Sequence, residues 1–178
     1  MEKQGDILTL SIILIGVIIA IGVLIYSTTI NNPLEKSIYQ AEIKNTQEIN
    51  FTQTSTCITT TQNKNCFNTA YADTPEERTS GLMGVGEMKK NEGMIFVFDS
   101  EELDHGIWMK NTFISLDLVW INEEMIVVDL NLNREPCINQ GYCPTTQPTK
   151  PAKYVLEINT GMIEETGIKL GDGVEIIM

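Results

Sequence analysis

The stretch ILTLSIILIGVIIAIGVLIY, residues 7–26, carries no charge over its whole length. As a helix it is long enough to cross the roughly 30 Å hydrocarbon layer of a bilayer. A buried core helix would show a polar stripe, which this run lacks. The apolar part of a signal peptide is about 7–15 residues and ends at a small-residue site, and neither feature is present. We therefore expect one transmembrane helix over residues 7–26, with residues 1–6 as a short cytoplasmic end. Lys3 and the α-amino group lie against one flank, and Lys36 and Lys44 stand farther off on the other. That bias favours the N-terminus inside and the rest of the chain outside the cell membrane.

The cysteines fit such a topology. Cys57 and Cys66, then Cys137 and Cys143, form two close-spaced pairs, as expected for small disulfide loops in an oxidising compartment. Zinc is the rival reading, but no C-x-x-C spacing occurs and the pairs lie far apart in the chain. Unpaired thiols are the third. The formal net charge of −12 makes nucleic acid a poor partner, because binding it relies on Lys and Arg. A cation or a basic partner suits this surface better, and the excess acid also serves solubility.

Residues 27–56 turn to Thr, Asn and Gln with too few apolar side chains to bury a core, and read as a polar stalk. Leu34, Ile38 and Ala41 permit a short helix within it. Asn50 begins an N-F-T glycosylation pattern. Residues 57–178 then become strand-like. CITTTQNKNCF reads as a hairpin turning near Asn63. In DTPEE, Thr74, Pro75 and Glu77 make a capping box that starts a helix, and the glycines of GLMGVG end it. MIFVF is apolar on both faces, as in a buried strand.

LDLVWI and MIVVDLNLN read as a hairpin across NEE. In the second strand Ile126, Val128, Leu130 and Leu132 alternate with Val127, Asp129, Asn131 and Asn133, the pattern of one buried and one wet face. YVLEI is a further strand, GMIEETG a short helix, and LGDGVEII a Gly-Asp-Gly turn into a last strand. The reading is a mainly-β, compact barrel-like or sandwich domain of about six to eight strands with two short helices.

The segments ADTPEERTSGLMG, GMIFVF, WMKNT with LDLVWI, PC with a later CP, and YVLEINTG before IKLGDGV cover roughly residues 66–177. In this order they resemble family 192 of the domains of unknown function. The recurrent positions of that family match Gly81, Leu82, Met83, Gly93, Met94, Phe96, Trp108, Met109, Lys110, Asn111, Thr112, Asp117, Gly171 and Asp172. Ile107 departs from the pattern, since an aromatic residue is usual before the Trp. The resemblance implies a small mainly-β domain, frequently exported or membrane-anchored, and implies no reaction.

Among the polar residues, His105 reads as a loop residue, and Ser115 and Lys110 lie on opposite faces of an extended strand. The acidic loop DSEELDHG lacks the order of an EF-hand. Trp108, Lys110, Asn111, Thr112 and Asp117 are the candidate ligand-binding set, because three kinds of polar donor stand beside an indole. A structural reading precedes it: Lys110 pairs with Asp117, while Asn111 and Thr112 satisfy the backbone at a bend. No metal site, cofactor or catalytic set is expected. The functional expectation is a membrane-anchored extracytoplasmic binding or interaction module for a small polar or anionic ligand or a protein partner. A small extracytoplasmic enzyme acting on a polar substrate is the alternative.

Overall fold

The computed structural model describes residues 51–138 and 141–178. The expected transmembrane helix over 7–26, the stalk up to residue 50 and Asn50 lie outside the described residues. Among the described residues no helix is long and apolar enough to cross a membrane.

The elements run β1 (Thr52–Thr59), β2 (Lys64–Ala72), α1 (Pro75–Ser80), β3 (Glu92–Glu102), β4 (Ile107–Trp108), β5 (Leu116–Ile121), β6 (Val127–Arg134), β7 (Thr145–Thr146), β8 (Ala152–Asn159), α2 (Met162–Thr166) and β9 (Gly173–Ile177). Seven strands form one sheet in the order β6-β5-β8-β3-β2-β1-β9, and β4 pairs with β7. All neighbours are antiparallel except β2 and β3. The sheet curls into a half-barrel whose edge strands approach through an Ile126–Gly173 bridge. The expected mainly-β class with two short helices is observed. Among the described residues the strand count of nine exceeds the expected six to eight because β4 and β7 have two residues each, too short to show a period.

β1 begins at Thr52, so residues 52–56 belong to the sheet and not to the stalk. Their threonines carry no apolar strand pattern. Thr54, Thr56 and Thr69 are buried, and the Thr69 hydroxyl lies 2.8 Å from that of Thr54 and 2.9 Å from that of Thr56. Each hydroxyl is satisfied by another, which removes the cost of burying it.

The β1–β2 hairpin sets Cys57 opposite Cys66, and the two are joined with Cα atoms 4.0 Å apart. Cys137 is joined to Cys143. Each bridge closes a short loop, worth roughly 2–3 kcal/mol in the chain-entropy account. At α1 the Thr74 hydroxyl accepts from the Glu77 N–H at 3.2 Å, and the Glu77 carboxylate accepts from the Thr74 N–H at 3.0 Å. This reciprocal cap starts the helix at Pro75 and holds the Glu77 carboxyl below its ordinary pKa.

The sheet is covered on both faces. Phe96, Leu116, Leu118, Trp120 and Val155 pack on one side with Ile107 of β4 and with Leu82 and Met109 from the connecting loops. Ile95, Val119, Ile121, Leu156 and Ile158 pack on the other with Ile58, Phe67 and α2 residues Met162 and Ile163. All six residues of β5 are buried. β6 departs from the expected clean alternation: Val127 is buried, while Leu132 is 44% exposed. Register shifts interrupt its pairing with β5 at two places, and each such irregularity disturbs the face that following side chains take.

Candidate functional site

The WMKNT segment is a tight turn fixed by its backbone. Trp108 ends β4, opposite Thr145 of β7. The Met109 carbonyl accepts from the N–H of Thr112 at 3.2 Å and of Cys137 at 3.1 Å, and the Asn111 N–H donates to the Cys137 carbonyl at 2.9 Å. Asn111 has φ 54°, a left-handed conformation that Asn tolerates better than most residues. Its carbonyl accepts from the Gly84 N–H at 2.8 Å. The turn is thus clamped between the disulfide loop and the glycine-rich segment after α1.

The expected Lys110–Asp117 pair does not form. Asp117 is fully buried on the α2 side of the sheet, where Oδ1 accepts from the Asn133 N–H at 3.0 Å and Oδ2 from the Ile163 N–H at 3.0 Å. The Thr160 hydroxyl donates to Oδ1 at 3.4 Å. This carboxylate ties β5 to β6 and to the first turn of α2. It is short, and its neighbours Leu116 and Leu118 point to the opposite face. Lys110 lies on that opposite side, its ammonium 5.0 Å from the centre of the Trp108 ring, within reach of a cation–π attraction.

Trp108, Lys110 and Thr112 line a cavity of about 40 Å³ together with Arg78 and Thr79 of α1, Phe96 and Glu157. Asn111 and Asp117 do not line it, so the sequence-derived set divides into three lining residues and two that serve the framework. Arg78 is steadied from behind: its guanidinium donates to the Val97 carbonyl at 2.8 Å and to that of Asp73, and lies 5.7 Å from the Phe98 ring. His105 stacks on Phe98 with ring centres 3.9 Å apart, and its Nε2 is 2.8 Å from the Ser100 carbonyl. Outside the cavity a wider depression of about 390 Å³ shares Arg78, Thr79, Gly106 and Trp108 with it. That volume lies in the range of small-molecule sites, roughly 300–1,000 Å³.

Glu157 is the residue that sequence reasoning missed. It sits on β8, paired across Met94 of β3 and Leu118 of β5, and is 3% exposed. Leu156 and Ile158 belong to the α2-side core, and Val155 to the cavity-side core, so the alternation of the strand turns the Glu157 side chain toward the cavity. Among the described residues none hydrogen-bonds its carboxyl. Burial pushes its pKa up to about 8, because a charge there loses most of its water without gaining a partner. The signal available in the sequence was one acid inside YVLEIN, a strand apolar on either side of it. Arg78 offered none, being one of several charges in a capped surface helix.

A sequence model of the family DUF192, described as an uncharacterized ACR, matches residues 56–176. No curated protein matches. A solved structure from Sinorhizobium meliloti 1021, provisionally named a transcription regulator, is similar with a TM-score of 0.65 and 26% identity, over 73% of this chain and 98% of that one. Another, of a protein of unknown function from Novosphingobium aromaticivorans DSM 12444, has a TM-score of 0.64 and 32% identity, over 69% of this chain and 84% of that one.

The Glu157 pKa has a definite consequence for stability. The folded protein keeps this proton up to about pH 8, while the unfolded chain releases it near 4.5. Rising pH therefore favours unfolding through that window, by on the order of 3 kcal/mol between the unfolded value and pH 7. Urea denaturation across pH is expected to show this loss in the wild type and its absence in Glu157→Gln. Two profiles that run parallel would place Glu157 in a polar setting.

Proposed function

The chain belongs to the DUF192 family of uncharacterised proteins, and on that footing we propose that it is a membrane-anchored extracytoplasmic module that binds a small polar or anionic ligand. The observation that carries the reading is Glu157: a buried carboxyl without a partner turned into a cavity whose lining includes Lys110 and Arg78. In a chain of net charge −12, two cations at one cavity favour an anion there over the surface at large. The exposed face of Trp108 supplies an apolar surface for the rest of a ligand. Anchoring rests on the uncharged run of residues 7–26, and an outside location on the two disulfides.

The regulator name of the Sinorhizobium relative would suggest nucleic acid, but the acidic balance of this chain disfavours it. The alternative of a small enzyme draws on the same Glu157, since an acid with a pKa near 8 is a competent proton donor at neutral pH. Binding is preferred because the Thr79 hydroxyl at the cavity donates to the Pro75 carbonyl at 2.7 Å and not to a base that would activate it.

A thermal-shift screen of small anions and sugars against the full chain tests the reading, since a ligand stabilises what it binds by mass action. At least one compound is expected to raise Tm, and Trp108→Ala and Lys110→Ala to abolish the rise. Unliganded Lys110→Ala is expected to stay within about 0.5 kcal/mol of wild type, as at a surface site. A shift that persists in both variants, or none with any compound, contradicts the binding site.

For the anchor, the full chain is expected to sediment with membranes and to lose its β domain to protease added to intact cells. A soluble full-length chain would refute the anchor, and a domain protected until lysis would reverse the orientation.

A further inference from the structure

The cavity and the depression outside it differ in size, and the difference selects a chemical group. A water-sized group needs roughly 10–15 Å³ of space, so the cavity of about 40 Å³ has room for only a small polar group. Of the common anionic groups the planar carboxylate, with three heavy atoms, is smaller than the five-atom phosphate or sulfate. The outer depression of about 390 Å³ is large enough for the remainder of a small molecule and is bordered by the Trp108 ring.

Polarity runs in the same direction. The Glu157 carboxyl lies in the cavity wall, and the charged groups that line the space with it are Arg78 from α1 and Lys110 from the turn. The strands on either side of it contribute Met94, Phe96 and Leu118, which cannot ionise. Among the described residues neither cation forms an ion pair or hydrogen bond with Glu157, and burial raises its pKa. An anion held by the cations would therefore meet a neutral acid. We infer that the site takes a small organic carboxylate, whose anionic group enters the cavity and accepts a hydrogen bond from the Glu157 carboxyl while Arg78 and Lys110 neutralise its charge. This rests on the proposed binding function and narrows it to a ligand class.

The pairing of a carboxylic acid with a carboxylate gives a short, charge-assisted O–H···O⁻ bond, among the strong hydrogen bonds of proteins. It also requires that Glu157 keep its proton, because two carboxylates in contact repel. A neutral amide of the same shape loses the charge that the cations recognise, and an anion too large for the cavity cannot reach the acid.

Isothermal titration of the full chain with benzoate and D-glucuronate, beside benzamide, glucuronamide and inorganic phosphate, tests the inference. Both carboxylates are expected to bind, and the amides and phosphate not to bind. Carboxylate affinity should fall about tenfold between pH 7 and pH 9, as the protonated fraction declines. Glu157→Gln keeps a donor, so it should retain binding and lose the fall with pH. Glu157→Leu should abolish binding. Phosphate or a neutral sugar that binds in a Trp108- and Lys110-dependent manner, with carboxylates inert, overturns the carboxylate and leaves the binding site standing. Carboxylate binding that is equal at both pH values overturns the role of Glu157, and failure of every probe overturns both readings.

Discussion

The burial of β8 at the centre of the curled sheet is the constraint from which the rest follows. It lies between β5 and β3, with an apolar layer on each face, so the side chains of its central residues 155–158 must leave water. The approach is close: a Cβ on Gly93 of β3 would come within 2.5 Å of the Glu157 carbonyl, which leaves room there for glycine alone. In this setting an ionised glutamate would cost several kcal/mol, and taking up a proton is the smaller cost. A neutral acid beside a small cavity is thus a product of the sheet order. It is also the feature that makes the cavity chemically distinctive.

The two buried acids of the sheet show how position decides role. Asp117 and Glu157 lie on adjacent strands, yet their side chains face opposite sides. Asp117 meets two backbone N–H groups and a hydroxyl, and its charge is satisfied by the frame it holds together. Glu157 meets none. The WMKNT turn divides in the same way. Asn111 supplies a left-handed backbone and Thr112 closes the turn, while Lys110 and Trp108 are left to face the open side. Cys137 contributes both its carbonyl and its N–H to that turn, so the second disulfide stabilises the base from which Lys110 projects.

Much of the frame was readable from residues. The capping box at Thr74 and Glu77, the hairpins, the helix between Gly161 and Gly167 and both disulfides depend on local chemistry, which spacing records. What spacing did not record was set by strand order. The threonines of β1 read as stalk because their mutual hydrogen bonds need β2 as a partner. Lys110 and Asp117 read as a pair because seven residues of sequence hide which face each takes. Glu157 read as an ordinary strand residue because only the placement of β8 between two other strands removes it from water, and Arg78 lines the cavity only because the fold brings α1 and β4 to the same opening.

The central claim is that Glu157 is a neutral acid at physiological pH, turned toward the cavity. Carbon-13 NMR of the glutamate side-chain carboxyls, with the Glu157 signal identified by its absence in Glu157→Gln, measures this directly. A titration midpoint near 8 is expected. A midpoint in the ordinary glutamate range, about 4.3, would mean a solvated or paired carboxylate and would contradict it.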